Sequence, residues 1–162
     1  MNTKKIATFG MLIALAFILS YIEALIPIPF PVPGIKLGLA NLVVITALYS
    51  LGIKEALFLS VLRIILVSFS FGNLYMMMFS MAGGLLSWSL MALTKKSKLF
   101  SMIGVSIIGG VSHNIGQIVI AVLVVENINI AYYLPFLLVS GITAGVIIGL
   151  LATLIIKRIK KQ

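Results

Sequence analysis

Residues 100–124 and 132–156 each run far enough to cross a bilayer core without one Asp, Glu, Lys or Arg. Runs of that length leave few solutions. A backbone in lipid must satisfy its own hydrogen bonds, so a spanning segment is a helix or belongs to a closed barrel. These runs do not alternate polar with apolar, as barrel strands do, so they read as helices. The rest of the chain agrees. It is 62% hydrophobic and 9% charged over 162 residues, against about 25% charged in soluble domains. A water-soluble fold of this size could not bury so much apolar surface.

The expected architecture is an all-α integral membrane protein of about six helices. The spans fall at about 6–25, 37–51, 55–71, 74–93, 100–124 and 132–156. They form a single transmembrane domain, because no long polar linker divides the chain. The first span follows Lys4 and Lys5 but lacks a small-x-small cleavage site, so it reads as a retained helix. The second and third are short for spanning, and one of them need not cross fully. Between the first two, Pro27, Pro29, Pro31 and Pro33 alternate with other residues, which excludes helix interior and makes an extended apolar loop. Gly72-Asn73 and residues 126–129 make further turns.

Six spans place both termini on one side. Lys4, Lys5, Lys54, Lys95, Lys96, Lys98, Lys157, Arg158, Lys160 and Lys161 fall there, which is ten of the twelve basic residues. Lys36 falls opposite and Arg63 lies within the third span. The positive-inside rule then predicts a multi-pass protein of the cell membrane with cytoplasmic termini. The net charge of +9 forms no nucleic-acid stripe. Tyr132 and Tyr133 stand where an aromatic belt would.

Cysteine is absent, which excludes disulfides and thiol chemistry. A single His, no Asp and three scattered acids (Glu23, Glu55, Glu126) argue against a metal site, a Ser/His/Asp triad and a magnesium-diphosphate enzyme. No Gly-rich Lys-Ser/Thr loop is present for ATP hydrolysis. No catalytic residue and no cofactor are expected.

The polar residues inside the spans need a reason. Arg63 is either an ion pair with Glu23 or an anion site, since guanidinium binds carboxylate or phosphate bidentately. His113 and Gln117 share one helix face, with Asn114 and Gly116 between them. They either bridge helices or line a cavity. Lys36 and Asn41 flank the start of the second span. Together Glu23, Lys36, Asn41, Arg63, His113, Asn114 and Gln117 are the candidate substrate-binding residues, and Lys36 with Arg63 would make the site electropositive. Ser80, Gly83 and Ser87 read as helix packing. So do Gly141, Gly145 and Gly149, a small-residue seam. Met76, Met77, Met78 and Met81 read as gap fillers. Gly10 and Ala14 form a small-residue face that fits either the bundle or a partner helix.

Residues 33–41 (Pro-Gly-Ile-Lys-Leu-Gly-Leu-Ala-Asn), Glu23, Arg63, residues 81–84 (Met-Ala-Gly-Gly) and residues 109–117 (Gly-Gly-Val-Ser-His-Asn-Ile-Gly-Gln) resemble the signature of the Gx transporter family, also described as heptaprenyl diphosphate synthase component I. The resemblance implies kinship with the S components of energy-coupling factor (ECF) transporters. Those are six-helix proteins that capture small molecules from outside, and they work with a transmembrane coupling subunit and two cytoplasmic ATPases. It also implies that Gly10 and Ala14 meet the coupling subunit. The function expected is capture of a small, anionic, amphipathic substrate. The alternatives are a non-catalytic accessory of isoprenoid or quinone metabolism and a membrane scaffold without an occupied polar cavity.

Overall fold

The computed structural model describes residues 3–26 and 38–159, without the side chain of Lys4. Lys36, the proline loop and the last three residues, including Lys160 and Lys161, lie outside the described residues.

Among the described residues six α-helices follow one another: α1 (Thr3–Leu25), α2 (Asn41–Ser50), α3 (Ile53–Phe71), α4 (Leu74–Ser97), α5 (Met102–Val125) and α6 (Leu134–Ile159). The turns explain the boundaries. Asn73 accepts the Met76 amide at 2.8 Å and opens α4, and Ser101 accepts the Gly104 amide at 3.2 Å and opens α5. Both satisfy amides that a helix start leaves unpaired. Lys98 and Glu126 close α4 and α5 in the left-handed region, at φ 57° and 53°. Gly52, at φ 133°, makes the turn into α3. Pro135 sits in the first turn of α6, where its missing N–H costs nothing.

α2 begins at Asn41, four residues later than its apolar run suggests, because residues 38–40 form a turn with Gly38 at φ 85°. Its ten residues reach only about 15 Å, half of a bilayer core. Residues 128–133, expected to be loop and the start of the sixth span, are a 3-10 helix.

Successive helices run up and down, so both described termini lie at one end of the bundle, the terminal end. α5 occupies the middle, packed along α4 on one side and α6 on the other. Glycine permits the close approach. A Cβ built on Gly116 would stand 2.8 Å from Gly83 Cα, and one on Gly110 would stand 2.5 Å from the Gly141 carbonyl oxygen. Gly145 and Gly149 meet the Ile107 and Ile103 backbone in the same way. The expected packing roles of Gly83, Gly141, Gly145 and Gly149 hold, and α4, α5 and α6 form one tightly joined slab.

The terminal end is cross-braced. Lys5 pairs with Glu55, the Trp88 indole donates to the Ile53 carbonyl at 2.9 Å, and Lys95 donates to the Leu48 carbonyl at 2.5 Å. The apolar core gathers Leu48, Leu59, Met91 and Val105, with a second cluster around Phe79, Ile118 and Leu137. Outside, large apolar side chains stay bare. Phe69 is 81% exposed, and Leu93 and Leu154 are also exposed, while Gln117 is 0% exposed. Apolar outside and polar within is the arrangement lipid imposes. Among the described residues four helical segments are long and apolar enough to cross a membrane, and the chain is a multi-pass membrane protein.

Candidate functional site

Glu23, Asn41, Arg63 and Gln117, all buried, lie on the half of the bundle away from the terminal end, with His113 near mid-depth, while buried Ser60 and Ser106 lie closer to the terminal end. Glu23 lies two residues short of the end of α1. There it is 6% exposed, and its Oε1 accepts the Gly38 amide at 2.5 Å. That bond pins the turn from which α2 starts. Asn41, buried, opens α2 beside Gly38.

Arg63 and Gln117 lie deeper and at matching depth. Each stands eight residues short of the far end of its helix, at Phe71 and Val125, which is about 12 Å along the axis. Gly83 of α4, nine residues in from Leu74, lies at a similar level. It is the cradle of the site: a Cβ built there would meet Gln117 Cγ at 2.9 Å and His113 Nδ1 at 3.0 Å. Gly84 turns the other way, toward Ser60 and Ile64 of α3. One Gly-Gly pair thus lets α4 approach α3 and α5 together.

Arg63 interacts electrostatically with both Glu23 and His113. Glu23 supplies the opposite charge that acts on Arg63. The guanidinium is not fully used: Arg63 Nε has no hydrogen-bond partner among the described residues. Neither Gln117 Oε1 nor Gln117 Nε2 has one, and Ser20 Oγ and Ser87 Oγ are in the same position. His113 Nδ1 lies against the Gly83 backbone without hydrogen-bond geometry. Each such group costs about 1–3 kcal/mol when buried unmet, so the cluster is chemically unsaturated. It offers one cation balanced by one carboxylate, plus donors and acceptors.

Asn114 departs from its helix neighbours. Its Nδ2 donates to the Leu137 carbonyl at 2.6 Å, toward α6. Lys36 lies outside the described residues. Ser20 was not singled out in the sequence, although its place three residues before Glu23 sets both on one face of α1. Gly10 and Ala14 belong elsewhere. Both are exposed on α1 opposite buried Leu12 and Ala16, and a Cβ on Gly10 would meet nothing within 4 Å.

Residues 12–155 match the family described as heptaprenyl diphosphate synthase component I. The chain belongs to that family. Among solved structures it is similar to the S component of a bacterial ECF transporter, with a TM-score of 0.74 at 19% identity, covering 99% of this chain and 98% of that one. The curated proteins contain no match. This member of the family therefore shares the fold of that S component over nearly its whole length.

Proposed function

We propose that the chain is the substrate-capture subunit of an ECF-type uptake transporter, taking a small, anionic, amphipathic molecule from the outer side of the cell membrane. The observation that carries the reading is Arg63. A guanidinium buried halfway along a membrane helix marks a functional site by default, and although Glu23 offsets its charge, its Nε is unmet among the described residues. The S-component fold supports the class of function. Lys36 supplies the second cation in this reading, Asn41, His113 and Gln117 orient the substrate, and the apolar helices hold its non-polar part. Glu23 orders the mouth and offsets Arg63, while Asn114 holds α5 against α6.

The termini are cytoplasmic in this reading, supported by Lys95, Lys96, Lys98, Lys157 and Arg158 near the terminal end. Gly10 and Ala14 offer an open small-residue face to a transmembrane coupling subunit, which in turn engages two ATPases.

The family's description favours a second reading, an accessory of prenyl diphosphate synthesis. Its catalytic form lacks support in the carboxylates. Glu55 pairs with Lys5 at the end of the bundle away from Glu23, so those two cannot share a magnesium ion, and among the described residues no three of His, Asp and Glu gather as metal ligands.

Mass spectrometry of small molecules released from the purified protein tests the capture reading. Wild type should carry an organic anion, and Arg63→Ala should lose it while keeping its helical spectrum. The same occupancy in both proteins would remove Arg63 from the site.

A further inference from the structure

Gln117 is 0% exposed, and both atoms of its amide lack a hydrogen-bond partner among the described residues. The usual explanation of a buried amide in a membrane helix is a bond to a neighbouring helix. Asn114 and Trp88 follow that rule, reaching the Leu137 and Ile53 carbonyls, while Ser20 Oγ, Ser87 Oγ and His113 Nδ1 share the unmet state of Gln117. Gln117 does not follow it, although it lies along Gly83, where two helices approach closely. Arg63 Nε is also unmet, at matching depth on α3.

A primary amide presents a donor and an acceptor side by side in one plane. The group that satisfies both at once carries an adjacent N–H and C=O, as a lactam, a carboxamide or a ring ureide does. We propose that Gln117 is the specificity-determining residue of the site and reads such a donor–acceptor edge, so that the substrate joins a lactam-like edge to its anionic group. The inference rests on the capture reading. It adds a chemical requirement that charge alone does not impose. Because the amide can rotate end for end, either order of N–H and C=O is accommodated. An analogue without the edge leaves two buried polar atoms unmet, which is the strongest form of rejection a small pocket can apply.

Three probes in lipid nanodiscs test this by titration: a pyridone carboxylate, which has the edge and the charge; benzoate, which has the charge alone; and neutral pyridone, which has the edge alone. Wild type should bind the pyridone carboxylate at least about tenfold tighter than benzoate. In Gln117→Leu, which removes both unmet atoms and keeps an apolar side chain in place, that ratio should fall to about one. Arg63→Ala should weaken both carboxylates alike and leave neutral pyridone unaffected. Equal binding of the two carboxylates by wild type overturns the inference and leaves the capture reading standing. So does an unchanged ratio in Gln117→Leu. Neutral pyridone binding that depends on Gln117, with neither carboxylate bound, supports the edge and overturns only the anionic substrate. No binding of either edge-bearing probe overturns the inference.

Discussion

The Glu23 carboxylate accepts the backbone amide of Gly38 at 2.5 Å, across fifteen residues of sequence. It is the bond that fixes where α2 begins, and Gly38 takes part with a left-handed φ of 85°. A hydrogen bond to an ionised group contributes about 1.5–3 kcal/mol. Glu23→Ala should therefore lower unfolding free energy by about that much, and it also strips Arg63 of its counter-charge. Glu23→Gln removes the same counter-charge but keeps an acceptor for the Gly38 amide, so it should lose less. Denaturant melts in detergent followed by circular dichroism measure both. Equal losses would show that the amide of Gly38 does not depend on Glu23.

Two glycine substitutions should separate the inside of the bundle from its partner face. Gly110→Ala drives a methyl to 2.5 Å from the Gly141 carbonyl oxygen, a backbone atom that cannot step aside. It should destabilise by about 1–3 kcal/mol or more. Gly10→Ala meets nothing within 4 Å and gains helix propensity of up to about 1 kcal/mol. Thermal melts should move down for the first and stay level or rise for the second.

Asn114 and Arg63 should fail differently. Asn114→Leu removes the bond to the Leu137 carbonyl, with a loss of about 1 kcal/mol in stability. Its ligand affinity should stay within about threefold. Arg63→Ala should lose at least about tenfold in affinity for the anionic ligand, since a charge-assisted contact is removed. Titration beside a melt for each variant decides it. A large affinity loss in Asn114→Leu at unchanged stability would place Asn114 in the site.

At the terminal end, Trp88→Phe keeps an aromatic ring but removes the pyrrole half of the indole, and with it the donor to the Ile53 carbonyl. A loss of about 1 kcal/mol is expected. Lys5→Ala breaks a partly exposed ion pair with Glu55 and should cost less than about 1 kcal/mol. The order of the two midpoints in a melt checks the brace.

Much of this was legible in the residues because lipid is a severe solvent. Long uncharged runs had to be helices, and residues such as Arg63 and Gln117 had to face inward. The periodic glycines of α6 announced their seam, which the structure places against α5. The shortness of α2 was visible too, but its first residue was not. That boundary depends on Gly38 and Glu23 meeting in space, and no local pattern encodes such a meeting. Asn114 was equally opaque. It stands next to His113, yet a step of one residue turns a side chain by about 100° around the helix, enough to send it to α6 instead of α4. Trp88 carries no sequence signal of its own and Lys95 reads only as one of the basic residues of the terminal side; the packed structure shows both holding backbone carbonyls.

The central claim is tested most directly by recovering the affinity-tagged chain from its native membrane under mild detergent and identifying what comes with it by mass spectrometry. A capture subunit should bring a transmembrane coupling protein and two ATPases, and Gly10→Trp should release them while the chain itself stays folded. Recovery of a prenyl diphosphate synthase subunit with no ATPase would contradict the account.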